Sequence, residues 1–256
     1  MRTYDFREGT MRNGKIVIGV MGPSRGMDLH KDAALVALAR EIGAAITGHG
    51  HVLLTGGQPS GSTSAAVKDA AMDGALTVAR ARLISVLPRM GHYAVDLQIT
   101  GADRHLVIHT DFRDERNFVN GFVPDVVLAA GAGAGTFSEL AIAHAAGVPI
   151  VCMQVDGVID TIKALRSAPA NNENGTGYAD LLVKIFKAFP YFDPVRVGAD
   201  LLARLNGVST AADAVSGVTR AISLARKRSL IASNALPYHQ AFIGCYDEYE
   251  RALNLL

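Results

Sequence analysis

The stretch Val126-Val127-Leu128-Ala129-Ala130-Gly131-Ala132-Gly133-Ala134-Gly135-Thr136-Phe137-Ser138-Glu139-Leu140 decides the fold. An apolar run of strand length leads into alternating glycines, and a helical pattern begins behind them. Thr136 and Glu139 stand at the spacing of a capping box, which marks a helix start. Glycine lets the backbone turn sharply and come close to a ligand, and a helix start presents free N–H groups and a positive dipole end. A strand, a glycine loop and a helix N-terminus in this order suit an anion, most often a phosphate. Glu139 then has two readings: a structural cap, or a reactive carboxylate beside the ligand.

The same alternation extends on both sides. Strands are predicted at Lys15–Met21, His51–Thr55, Leu83–Leu87, His105–His109, Asp125–Ala130 and Pro149–Gln154. Helices are predicted at Asp32–Ile46, Ser64–Asp73, Asp114–Gly121 and Phe137–Ala146. Several of the strands are apolar throughout rather than in alternation, which is the mark of a parallel sheet covered on both faces. The expected architecture is an α/β, doubly wound, Rossmann-like parallel sheet. Residues 1–13 read as a mobile leader. Past residue 156 the pattern weakens into a polar loop at 165–177, helices at Tyr178–Phe189, Ala199–Leu205 and Ala211–Lys227, and a mostly helical tail at Ala235–Leu256. The chain therefore divides into a nucleotide-binding domain over 14–155 and a helical C-terminal extension over 156–256 packed on it.

Composition narrows the function. The 256 residues are 49% hydrophobic, enough for a full core. A net charge of +1 gives no field to draw nucleic acid or a membrane surface, and the absence of Trp argues against a stacking platform for bases. The first ten residues are polar and charged, unlike a signal peptide, and no apolar run reaches the roughly 18 to 20 residues of a membrane span. Cys152 and Cys245 lie far apart without metal spacing and read as reduced thiols of a cytoplasmic protein, with Cys152 in the core. His105 and His109 sit on alternate positions of an apolar run, also without ligand spacing, so no metal site is expected.

Ligands of open parallel sheets bind beyond the carboxyl ends of the strands. Three glycine-bearing loops fall there: Gly22-Pro23-Ser24-Arg25, Gly56-Gly57-Gln58, and Gly131 through Thr136. The first lacks the G-x-G-x-x-G spacing of a dinucleotide fingerprint, and the second has no lysine in the P-loop position. Candidate phosphate or nucleotide contacts are Gly22, Ser24, Arg25, Gly56, Gly57, Asn117, Gly131, Gly133, Gly135 and Thr136. Arg116, in the charged cluster Asp114-Glu115-Arg116-Asn117, is a candidate to enter the crevice and pair with a phosphate or with Glu139.

The combination of IGVMGPSRG, LLTGGQPSGSTSAAVKDA, ERNFV and VVLAAGAGAGTFSELAIA, over roughly residues 14–155, resembles the LOG-like Rossmann superfamily. That superfamily includes cytokinin-activating phosphoribohydrolases, proteins once labelled lysine decarboxylases, and molybdenum-cofactor carrier proteins. The hydrolase pattern P-G-G-x-G-T-x-x-E reads here with Gly131 for proline and Ala132 for the first glycine, and Arg116 is followed by Asn117 where those enzymes have lysine. The Arg-Asn pair and the G-x-G-A-G-T loop look more like the carrier branch. In the hydrolases, the resemblance implies, a nucleoside 5′-monophosphate is cleaved to free base and ribose 5-phosphate. Glu139 and Arg116 would be the catalytic pair, with no cofactor required. In the carriers the same crevice holds the molybdenum cofactor, a phosphorylated pterin, as cargo. A nucleotide-sensing module is a third expectation, and the resemblance also implies a homodimer.

Overall fold

Val17, Ile18, Gly19, Val20 and Met21 form β1, and every one of them is buried. In the computed structural model the described residues are 15–23, 29–58, 66–88, 94–100, 102–110, 116–131, 136, 139–140, 142–143, 147–153, 209–227 and 256. Helix α1 (Leu29–Gly48) follows β1, then β2 (Val52–Thr55) and α2 (Val67–Ala75). Strands β3 (Arg82–Pro88), β4 (Ala94–Thr100) and β5 (Asp103–Thr110) come next, then α3 (Arg116–Phe122) and β6 (Val126–Ala129). Strands β7 (Ile150–Met153) and β8 (Ser209–Ala211) and helix α4 (Ala214–Lys227) complete the set. Residues Thr136, Glu139, Leu140, Ile142 and Ala143, between β6 and β7, are helical.

The strands make one eight-stranded sheet in the order β4-β5-β3-β2-β1-β6-β7-β8. All neighbours are parallel except β4 against β5. From β1 the chain first winds outward through β2 and β3, then returns to the other side of β1 at β6. The reversal puts a topological switch point between β1 and β6, where open α/β sheets leave a crevice. Asp125 fixes that junction from below, its Oδ2 accepting the Val17 amide at 2.8 Å.

Side chains alternate across each strand, and here both faces are covered. Ile18, Val20, Leu53, Leu83, Leu128, Val151 and Met153 share one core with α1, α2 and α4. Val17, Met21, Leu54, Ile84 and Val127 point the other way and are buried as well. Helices α1 and α2 cross closely at glycine: a Cβ on Gly43 would lie 1.9 Å from the Ala71 carbonyl oxygen, and one on Gly74 2.0 Å from that of Arg40.

The doubly wound sheet expected from the apolar runs is present. Two strands escape the sequence reading. β4 joins β5 as an antiparallel edge hairpin, and β8 adds three residues at the opposite edge. Residues 209–227 thus contribute a strand and a core helix to the same sheet, where a helix over Ala211–Lys227 is expected from sequence; the helix starts at Ala214. Helix α1 begins at Leu29 rather than Asp32 and runs to Gly48. The leader, the loop at 165–177, the helices at Tyr178–Phe189 and Ala199–Leu205 and nearly all of the tail lie outside the described residues.

Candidate functional site

The carboxyl ends of β1, β2 and β6 converge. The Ala130 amide bonds the Met21 carbonyl at 2.8 Å, holding the ends of β6 and β1 together. Only hydrogen fits on the α-carbon of Gly22: a Cβ there would lie 2.3 Å from Val67 Cγ1 and 2.5 Å from the Ala130 carbonyl oxygen. Gly131 turns the chain away at φ +98°, a left-handed conformation that side-chain-bearing residues rarely adopt. On the β2 side, Thr55 Oγ1 accepts the Gly57 amide at 2.7 Å, and Asp69 Oδ1 accepts that of Gln58 at 2.9 Å. Ser85 donates to the Gly57 carbonyl at 2.7 Å and lies 2.8 Å from His105 Nε2. Because the Ser85 hydroxyl donates to Gly57, His105 Nε2 must carry the hydrogen that reaches Ser85. Burial holds the His105 pKa below the usual imidazole value, so the ring works as a neutral donor in this chain of bonds.

The charged centre of the site is a buried triad. Glu139 is fully buried, and its Oε1 accepts Lys68 Nζ at 2.6 Å and Asn120 Nδ2 at 2.7 Å. Lys68 comes from the first turn of α2, Asn120 from α3, and Glu139 from the helical residues behind the Gly131 loop. The lysine side chain is 6% exposed and the glutamate 0%. An ion pair with so little water around it depends on its geometry and on the extra hydrogen bond from Asn120. The triad sits against the end of β2, since a Cβ on Gly56 would lie 2.8 Å from Asn120 Nδ2 and 3.4 Å from Lys68 Nζ. Two buried atoms of the triad, Glu139 Oε2 and Asn120 Oδ1, have no hydrogen-bond partner among the described residues, and neither has the buried Thr136 Oγ1.

Several expectations change. The sequence suggests that Arg116 pairs with a phosphate or with Glu139; its Nη1 donates to the Gly56 carbonyl at 3.3 Å and its pairing with a phosphate stays an expectation, while for the glutamate Lys68 and Asn120 are the partners instead. The physical reason is reach, since both of those side chains start from elements packed directly beside Glu139. Thr136 and Glu139 do not form the reciprocal capping box: the hydroxyl is unpartnered among the described residues and the carboxylate is engaged elsewhere. Gly22, Gly56, Gly57 and Gly131 stand at the converging strand ends, Thr136 is buried among the helical residues behind β6, and Asn117 is half-buried on α3 beside Arg116. Ser24, Arg25, Gly133 and Gly135 lie outside the described residues.

Lys68 and Asn120 escape the sequence reading. A signal exists for Lys68: at helical spacing it shares a face with Ala71, Met72 and Ala75, all buried, so a solvated lysine is out of place there. Cys152 is in the core, where burial pushes its thiol up to about 11. No group of three metal-ligating side chains occurs among the described residues, and none of their helices is long and apolar enough to cross a membrane.

The model of the SLOG cluster4 family matches residues 15–178. The chain belongs to that family, within the LOG-like superfamily. The SLOG match takes in the whole triad and all three strand ends, and it continues past residue 155. A relative in Archaeoglobus fulgidus, an uncharacterized protein, is 31% identical over 150 residues, 59% of this chain and 87% of its own length. Among solved structures, the Moco carrier protein from Chlamydomonas reinhardtii is 25% identical with a TM-score of 0.53, over 84% of this chain and 99% of that one. The molybdenum cofactor binding protein from Rippkaea orientalis shares the fold at 24% identity and a TM-score of 0.51, over 84% and 99% of the two chains. The fold is common ground for this SLOG protein and these two structures, whose names record a molybdenum-cofactor carrier and a molybdenum-cofactor binding protein.

Proposed function

We propose that the crevice binds a phosphate-bearing small molecule without cleaving it, and that the molybdenum cofactor is its cargo. The observation that carries this is the Lys68–Glu139 pair at 2.6 Å. Cleaving an N-glycosidic bond builds positive charge on the sugar, which an unpaired carboxylate nearby stabilises. At about 5 Å and an effective dielectric near 20, that stabilisation is on the order of 3 kcal/mol, roughly 100-fold in rate. A lysine ammonium bound to the same carboxylate cancels most of it. The glutamate that would serve a hydrolase is here a clamp joining α2 and α3.

The sequence behind β6 suits a phosphorylated ligand: an alternating glycine run leads into a helix start, whose free N–H groups and positive dipole end favour an anion. Gly22 and Gly131 serve the packing beside it, since a Cβ on Gly22 would meet Val67 and the Ala130 carbonyl, and one on Gly131 would meet Leu35 and Pro23. The likeness to the carrier protein of Chlamydomonas reinhardtii supports the cargo assignment. A hydrolytic reading has one observation in its favour, the free Glu139 Oε2. Incubation with AMP, GMP, CMP and UMP followed by chromatography for free base separates the two. Absence of base release, with thermal stabilisation by the molybdenum cofactor, is the expected result. Base release that disappears in Glu139→Gln would overturn it.

A further inference from the structure

We infer that Lys15 and Arg82 form an electrostatic latch, which gathers the Leu256 main-chain oxygen to the amino ends of β1 and β3 and opens and closes as a unit. The latch lies at the end of the sheet opposite the converging carboxyl ends, and it does not depend on what the crevice binds.

The strand period sets both cations on one face. Ile16, Ile18 and Leu83 point into the core shared with α1, α2 and α4. Their neighbours Lys15, Val17 and Arg82 therefore rise from the opposite face. β2 lies between β1 and β3, so the two basic residues start two strands apart, or about 10 Å. Their long side chains close that gap on a single atom. Lys15 Nζ donates to the Leu256 oxygen at 2.8 Å, and Arg82 Nε donates to the same oxygen. The partners are 241 and 174 residues apart in sequence, so the contact joins distant parts of the chain.

Electrostatics makes this contact all-or-none. Burial, and after it the neighbouring Arg82 guanidinium, hold the Lys15 pKa below the usual lysine value. Two like charges drawn to one half-buried spot repel unless an electron-rich atom lies between them. The Leu256 oxygen is that atom, and it accepts a charge-assisted bond from each. Without the oxygen, nothing keeps the two cations together. Without the cations, the oxygen loses both donors. Leu256 is only 4% exposed, so letting go also uncovers its side chain. Closing gathers three groups at once, and opening releases them at once. Such a contact is a local opening unit of its own, distinct from global unfolding.

Hydrogen exchange of the full chain, read by mass spectrometry, tests the latch. The peptide carrying residue 256 should be protected in the parent. Lys15→Met combined with Arg82→Met keeps the apolar stems and removes both charges. Exchange of that peptide should then quicken about 10- to 100-fold, the loss expected for charge-assisted bonds, while peptides from β2 and β6 keep their parent rates. Arg82→Lys on its own retains the cation and should keep most of the protection. Leu256→Ala keeps the oxygen and both charges, so its exchange should quicken less than that of the double variant. Parent-like protection in the double variant would overturn the inference. So would an equal loss in Leu256→Ala, since burial of the leucine would then be what holds the residue. Faster exchange spread over β2 and β6 would also overturn it, because the contact would then belong to the global core.

Discussion

Lys68→Met tests the buried pair directly. Methionine keeps most of the lysine stem, so packing along α2 changes little. What is lost is the ammonium 2.6 Å from a carboxylate that has no exposed surface. Glu139 is then a buried charge held by Asn120 alone, and removing one member of such a pair costs about 3–5 kcal/mol. For a chain of this size the melting temperature should fall by about 6–20 °C, at roughly 2–4 °C per kcal/mol. Urea unfolding of the single variants and of Lys68→Met with Glu139→Gln closes the comparison. The double variant removes both charges, and the introduced glutamine still offers Asn120 an oxygen, so it should be more stable than Lys68→Met. A coupling of about 2 kcal/mol or more is expected. A loss under about 1 kcal/mol for Lys68→Met, the size of an exposed pair, would refute the view that this interaction is dry and structural.

Two further changes probe other parts of the fold. Gly22→Ala forces a Cβ to within 2.5 Å of the Ala130 carbonyl, a backbone atom that cannot step aside, and should cost about 1–3 kcal/mol in thermal unfolding while weakening ligand binding. Asp213 starts α4: its Oδ1 accepts the Ser216 amide at 2.8 Å and its Oδ2 the Ser216 hydroxyl at 3.0 Å. The Ser216 bonds hold its pKa below the ordinary 3.8, so the stabilisation is full above that value and is lost as pH falls through the lower native one. Asp213→Ala should melt below the parent at neutral pH, and the gap should close in acid.

The strands that are apolar on both faces are legible in the sequence, because a buried parallel strand needs no partner information to be seen. β4 is not, although Val95, Leu97 and Ile99 alternate with Asp96 and Gln98. Its period of two marks a half-buried edge, and Ile99 is 61% exposed there. β8 has three residues, too few to carry any period. Glu139 stands out because a glycine loop points to it. Lys68 and Asn120 do not, since a single polar residue on a short helix reads as solvated until the neighbouring helix is known to cover it.

The triad also has a temporal meaning. Lys68 and Glu139 are 71 residues apart, and the strands between them must be laid in place before the two can meet. A chain that has assembled β1, β2 and α2 alone carries a lysine with no counter-ion on a surface destined for the interior. The charge is therefore neutralised in one step, when α3 and the segment behind β6 close over α2. The triad acts as a checkpoint on completed folding, and a partly assembled molecule keeps an unneutralised charge where its interior should be.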